Sequence, residues 1–380
     1  MTLKLGFLAL LDAAPLLVAQ ERGFFAEQGL KVELQRQTSW AALRDKVTVG
    51  ALDGAQMLAP MVLASTLGLG GVQEPLVTAL ALNLGGNSIT VSCDLAARIQ
   101  EGGSLAAAVK GRTVTFGIVH PFSSHHYELR LWLAAAGIDA DRDVTLMVVP
   151  PAQMLSNLSA GLIDGYCVGE PWGHLATRSG LGKVVITSRE IWAGRMEKMF
   201  AVRQSWADQN PDTHRALLRA LLSAARWADQ PENRAELAEL MSRPGHVNAP
   251  LPLLRVLLDS DDRPIFYRHA ANFPWRSQGR WYLSQMRRWR QYDGPAKGDL
   301  RLVDQVFRAD LARLAYLDLY LPVPLIDSKI EGEHDQPWTL TLASHPIEMN
   351  ADRFFDGSLF DPAANDAGSH QPESQTGASS

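Results

Sequence analysis

Gly50-Ala51-Leu52-Asp53-Gly54-Ala55-Gln56-Met57-Leu58-Ala59-Pro60 and Gly161-Leu162-Ile163-Asp164-Gly165-Tyr166-Cys167-Val168-Gly169-Glu170-Pro171 share one skeleton: Gly, two residues, Asp-Gly, five residues, Pro. Each copy follows a stretch with helical spacing. In each, the first Gly is expected to stop a helix, Asp-Gly to make a tight turn, the next residues to form a short buried strand, and Pro to mark where that strand ends. Gly-x-x-Asp-Gly alone is common turn chemistry that recurs by chance; the shared Pro spacing makes the two segments an echo. Two equivalent half-structures are implied. Ligands of open α/β sheets sit just beyond the carboxyl ends of strands, which places Pro60 and Pro171 on opposite walls of one cleft.

Outward from the first copy, residues 3–10 read as a strand, Asp12-Ala13-Ala14-Pro15 as turn and helix-start chemistry, 16–27 as a helix and 31–36 as a second strand. Such a βαβ succession calls for parallel strands and a right-handed crossover. Between the copies, 111–117 and 144–149 read as strands around a helix at 124–136, which makes a second lobe inserted after about Ser92. Strands at 184–186 and 200–202 are expected to return the chain to the first lobe, followed by helices at 212–229 and 231–241. The predicted division is lobe one in 1–92 and 196–262, lobe two in 93–195, an extension in 263–362 and a disordered tail in 363–380. The extension is rich in Trp, Tyr, Phe and Arg, a composition that also suits stacking on single-stranded nucleic acid. Its spacing favours a helical layer instead, with Trp275, Trp281, Met286 and Trp289 on an apolar seam and Arg287, Arg288 and Arg290 on the wet side.

Of the 380 residues, 46% are apolar and 20% charged, which suits compact lobes, and the formal net charge of -5 gives no general attraction to nucleic acid or anionic membranes. An anion must be captured locally. The only cysteines, Cys93 and Cys167, are expected to be buried free thiols. The apolar start resembles a leader, but Asp12 interrupts it and its first part reads as a core strand, so a soluble cytoplasmic protein is expected. No Gly-x-Ser-x-Gly elbow, Walker lysine loop or His-Glu-x-x-His pair is present, and no catalytic role is expected.

Several segments resemble the nitrate- and bicarbonate-binding proteins of ABC transporters. They include Glu21-Arg22-Gly23-Phe24-Phe25, Ser39-Trp40 with Arg44-Asp45-Lys46, Leu82-Asn83, Arg130-Leu131-Trp132-Leu133, Gly169-Glu170-Pro171-Trp172, Glu197-Lys198, Phe273-Pro274-Trp275-Arg276 and Phe360-Asp361-Pro362. The resemblance runs to about Pro362. It implies an α/β, two-lobed type II periplasmic-binding-protein fold with a ligand cleft between the lobes and a C-terminal helical extension. Lacking a secretion device, the chain is more similar to the cytoplasmic nitrate/nitrite sensors of the NasS type, which implies release of an RNA-binding antiterminator as the partner when nitrate or nitrite binds. The alternative is a substrate-binding subunit of an ABC transporter for nitrate, bicarbonate or alkanesulfonate.

The resemblance assigns the anion site to Trp40, Asn87 beside Gly86, His125 and Lys198, with Lys198 as counter-charge. Nitrate is flat, weakly basic and singly charged, so a selective pocket needs several aimed donors and one positive charge. The indole N–H of Trp40 donates, and its ring packs on a planar ion; ordinary core packing is its other fate. His125 falls in the first turn of a predicted helix, where free backbone N–H groups favour an anion; neighbouring His126 competes for that role, and either could simply cap the helix. For Asn87 the other reading is turn chemistry with Gly85 and Gly86, and for Lys198 a solvated surface charge. Glu170, ionised and unpaired, would repel an anion, so it is expected to orient Lys198, cap a backbone group or face the hinge. Bicarbonate-binding relatives use an acidic residue to help hold calcium. No clustered oxygen-ligand loop is present, and neither metal nor cofactor is expected.

Overall fold

A computed structural model describes residues 2–364; from residue 365 onward the expected disordered tail lies outside the described residues. Each half of the echo is the middle strand of its own five-stranded sheet. The first sheet runs β2-β1-β3-β10-β4, from β1 (Leu3–Phe7), β2 (Val32–Arg36), β3 (Gly54–Leu58), β4 (Leu76–Leu84) and β10 (Met196–Arg203). The second runs β7-β6-β8-β5-β9, from β5 (Asn87–Ser92), β6 (Thr115–Ile118), β7 (Thr145–Val148), β8 (Gly165–Gly169) and β9 (Gly182–Thr187). Each sheet has a parallel trio, β2-β1-β3 or β7-β6-β8. In each, an antiparallel strand that has crossed from the other lobe comes next, β10 or β5.

The echo has a structural cause. Gly50 and Gly161 adopt φ of 75° and 68°, the left-handed turn that ends a helix at low cost only for glycine. Asp53 fastens β3 to β1: its N–H donates to the Lys4 carbonyl at 2.9 Å and its Oδ2 accepts the Lys4 N–H at 2.8 Å. Asp164 does the same to Thr115 of β6, at 2.7 and 2.8 Å. The Asp-Gly pair is therefore a fastening between parallel strands and not the tight turn expected. Gly54 and Gly165 are needed because a Cβ would sit 2.9 Å from Phe200 Cζ and 2.8 Å from the Thr90 carbonyl. Pro60 lies in the first turn of the helix Ala59–Leu67, and Pro171 caps the helix Trp172–Arg178, positions where its missing N–H costs nothing.

The chain leaves the first sheet through Gly85-Gly86, whose φ values are 60° and 86°. Residues 87–92 thus already belong to the second sheet, ahead of the expected insertion point after Ser92. Likewise β9, containing 184–186, pairs with β5 in the second sheet, so only β10 returns. A short β-branched run does not reveal which sheet it joins.

In the extension Trp275, Trp281 and Met286 are buried, Trp281 and its neighbours packing on Trp192 and Phe354. Trp289 is half-buried beneath the guanidinium groups of Arg130 and Arg288. Arg287 departs from the expected wet face: it pairs with buried Asp299. Isolated bridges from Phe307 to Thr78, Ile265 to Leu84 and Phe354 to Trp192 tie this layer to both lobes. Cys167 is buried, but Cys93 is exposed at the start of a surface helix, contrary to expectation. Among the described residues no helix is long and apolar enough to cross a membrane.

Candidate functional site

The lobes touch just beyond the carboxyl ends of β1 and β8. The Leu11 N–H donates to the Glu170 carbonyl at 2.9 Å. Asp12, in the short helix Leu11–Ala13 after β1, lies against Gly169. Lys198 enters from β10, where register shifts around 196–199 break the usual alternation. Consecutive Glu197 and Lys198 consequently reach one region, both fully buried.

Lys198 Nζ lies 2.8 Å from Asp12 Oδ2, 2.7 Å from Glu197 Oε1 and 3.2 Å from His125 Nε2, with the Trp40 ring centroid 5.5 Å away. Glu197 pairs in turn with Arg195, and Arg195 Nη2 lies 2.5 Å from Glu128 Oε1. Glu128 Oε2 accepts from Asn87 Nδ2 at 2.9 Å. Alternating charges thus run from Asp12 in lobe one to Glu128 in lobe two, through Lys198 on β10 and Arg195 just before it. Burial alone would discharge Lys198, but Asp12 and then Glu197 more than offset it and hold its pKa above the ordinary lysine value. Burial also opposes ionisation of Glu197, yet Arg195 and then Lys198 hold its carboxyl well below the usual range. Asp12 and Glu128 go the other way: burial pushes both carboxyls up, despite Lys198 beside one and Arg195 beside the other.

Burial, followed by the charge of Lys198, drives the His125 pKa well below 6.5, so its ring is neutral. The hydrogen-bond partners assign its tautomer. Nε2 lies 3.2 Å from Lys198 Nζ and 3.1 Å from Glu197 Oε1; the ammonium has a third proton for it after Asp12 and Glu197, whereas Glu197 Oε1 already accepts from Lys198 and from the Ser124 hydroxyl at 2.5 Å. Nε2 therefore accepts, and the proton resides on Nδ1. That Nδ1–H has no protein partner, and neither has the Trp40 indole N–H. Both are buried donors of the kind that a fold leaves bare at a ligand site. Two N-caps set these side chains: Ser39 accepts the Ala42 N–H ahead of Trp40, and Ser123 accepts the His126 N–H ahead of His125. The choice between the neighbouring histidines is settled by direction. His126 turns away, its Nδ1 2.7 Å from the Pro121 carbonyl and its Nε2 accepting from Arg130 Nε at 2.7 Å.

The remaining positions divide. Asn87 is on the path, although through Glu128 rather than Lys198, and its Oδ1 is buried without a partner. Gly86 is a hinge residue: its carbonyl accepts the Glu170 N–H at 2.9 Å, and a Cβ there would meet Pro264 at 2.6 Å. Of the roles expected for Glu170, capping is the one observed. Its side chain accepts from Ser88 Oγ at 2.6 Å and the His174 N–H at 3.2 Å, with His174 Nδ1 at 3.0 Å, and orients no lysine. Sequence reasoning missed Asp12, Gln56, Glu128 and Arg195. Gln56 Oε1 accepts the Leu8 N–H at 2.9 Å while its amide donates to Asp12. Their signal was a polar residue inside an apolar run, as at Asp12 and Gln56.

A model of the NMT1-like family matches residues 1–242. The nitrate import ATP-binding protein NrtC of Synechocystis sp. is 38% identical over 95% of this chain, which spans about half the length of that relative, 53%. The nitrate/nitrite binding protein NrtA of the same organism is 33% identical over 95% of this chain and 82% of its own length. The crystal structure of the periplasmic nitrate-binding protein NrtA from Synechocystis PCC 6803 superposes with a TM-score of 0.84 at 30% identity, covering 96% of this chain and 97% of that one. Fold and similarity together make this chain a member of the NMT1-like family and, within the periplasmic-binding-protein fold, of its nitrate/bicarbonate-binding group.

Proposed function

We propose that the chain is the nitrate- or nitrite-binding module of an ABC-type anion transport system and that it binds without catalysing a reaction. The observation that carries this reading is the pair of bare buried donors, Trp40 Nε1 and His125 Nδ1, flanking the ammonium of Lys198. A weakly basic planar oxyanion is suited to such a site, because neutral donors fix its orientation while the nearby cation supplies attraction. One donor belongs to lobe one and the other to lobe two. Binding then favours the closed arrangement in which both reach the same guest. Similarity to a nitrate/nitrite binding protein and to a nitrate import ATP-binding protein supports nitrate as the guest and an ATP-driven transporter as the assembly. Titration calorimetry with nitrate, nitrite, bicarbonate and sulfate tests the reading: heat with nitrate or nitrite is expected, and heat with bicarbonate alone would overturn it.

A second reading is supported by the ATP-binding relative, about half of whose length corresponds to this chain. In it the module senses the anion on the cytoplasmic side and hands its occupancy to a partner, which the family resemblance suggests is an RNA-binding antiterminator. By linkage, a partner that prefers the open form weakens anion binding as much as the anion weakens the partner's hold. Co-purification with and without nitrate separates the readings: a protein released by nitrate favours sensing, and a transporter subunit retained in both conditions favours transport.

A further inference from the structure

The buried charges at the site do not balance. Asp12, Glu197 and Glu128 contribute three carboxylates, and Lys198 and Arg195 two cations, all within one hydrogen-bonded run that is almost wholly inaccessible to water. His125, the titratable side chain that packs on Lys198 from the second lobe, is neutral. Gln56 approaches Asp12 from β3 without charge. Glu170, beyond the end of β8, is spent on Ser88 and His174. An anion entering beside Lys198 therefore adds a second uncompensated negative charge to a medium that tolerates charge poorly.

We propose that this chain binds its anion together with a proton, and that Asp12 receives it. The inference rests on the oxyanion-binding reading above. The step is a protonation: a solvent proton joins the Asp12 carboxylate, the anion brings one negative charge, and the net charge of the buried run is unchanged. Asp12 is selected over the other carboxylates by its contacts. Its Oδ2 lies 2.8 Å from Lys198 Nζ, the cation the anion also seeks, so the guest weakens the interaction that keeps Asp12 ionised. Glu197 remains held by Arg195 and by Ser124, and Glu128 by Arg195 and Asn87, partners that the anion does not compete for. Asp12 also suits the role in space, since it lies buried where lobe one meets Gly169 of lobe two. Once protonated it remains a hydrogen-bonding group for Gln56 and the ligand, so the site loses a charge without losing a contact.

Calorimetry of the whole chain with sodium nitrate, in buffers of different ionisation enthalpy at one pH, reads the proton directly. Uptake of about one proton per nitrate is expected, with affinity falling about tenfold per pH unit above the free-state pKa of Asp12. Asp12→Asn, which keeps the shape and hydrogen-bonding capacity, is expected to bind nitrate with no proton uptake and a flat pH profile. Nitrate binding by the unaltered protein with no buffer dependence would overturn the proposal while leaving the oxyanion reading intact; absence of binding by any of the four anions would instead remove that reading. Uptake that persists in Asp12→Asn places the proton on another group and equally overturns the proposal.

Discussion

Lys198 in the cleft and Lys329 in the extension are built from the same parts: each ammonium is buried between two buried carboxylates, Asp12 and Glu197 for one, Glu331 and Asp352 for the other. Their surroundings differ. Glu331 also accepts from Ser277 Oγ at 2.5 Å and Gln278 Nε2 at 3.2 Å, while Asp352 takes the His334 N–H at 2.9 Å. No polar side-chain atom of Lys329, Glu331, Asp352, Ser277 or Gln278 is among the described buried atoms without a partner, and the bare nitrogen beside them, His334 Nδ1 at 3.6 Å from Asp352, is on a half-buried ring; beside Lys198 the bare nitrogens of Trp40 and His125 are on fully buried rings. A buried donor left unpaired costs about 1–3 kcal/mol. A closed knot of this type fixes geometry, and an open one recognises a guest. The two are also connected. Gln278, a member of the closed knot, accepts the Met196 N–H at 2.7 Å and donates to the Gly194 carbonyl at 2.8 Å, and Tyr282 one turn on donates to the Met196 carbonyl at 2.5 Å. The extension therefore positions the strand that delivers Glu197 and Lys198.

If the closed knot is purely structural, Lys329→Met strands two buried carboxylates and lowers stability by about 3–5 kcal/mol. Denaturant melts measure that loss, and the folded protein is expected to keep its nitrate affinity. Lys198→Met is expected to weaken nitrate binding roughly 10- to 100-fold, the value of a charge-assisted hydrogen bond of about 1.5–3 kcal/mol. An affinity loss in the first variant, or none in the second, would erase the distinction between the knots.

Acid separates them next. His120 and His126 are pushed down to about 4, chiefly by burial, and His125 further below its ordinary value, so all three are neutral in the fold. The unfolded chain takes up protons at these positions below pH 6.5 that the folded chain refuses. Their contribution is complete above pH 6.5 and is lost as the pH falls towards 4. Hydrogen exchange across 120–130 is thus expected to accelerate in that window before exchange across 276–288 does; simultaneous loss would contradict it.

Trp40→Phe gives the smallest effect and the sharpest test of the open knot. Nitrate affinity is expected to fall roughly tenfold, for loss of a hydrogen bond worth about 1–1.5 kcal/mol. Stability of the free protein is expected to change little, because removal of a bare buried donor is offset by the cavity that the smaller ring leaves at a fully buried position. A melting temperature that drops with unchanged affinity would make Trp40 a core residue only.

The architecture was legible because strand pairing leaves marks in sequence. The repeated Gly-x-x-Asp-Gly and its Pro marked β3 and β8 as equivalent buried strands of two half-structures, although their place at the centres of the sheets and the reason for the aspartates, a grip on the neighbouring strand's backbone, were not visible. The sheet to which β9 belongs depends on pairing with β5, a contact across the sequence that no local pattern records. At the site, the resemblance placed Trp40, His125 and Lys198, which the fold brings together, and it placed Glu170, which the fold spends on capping a helix. Asp12 and Arg195 escaped because a buried charge is defined by its partners, and those come from β3, β10 and the second lobe.

The most direct test is a crystal structure of the chain grown with nitrate. The account predicts a nitrate between the lobes with its oxygens within about 2.7–3.2 Å of Trp40 Nε1 and His125 Nδ1 and beside Lys198. A nitrate bound elsewhere, with those two nitrogens still unpaired, would contradict it.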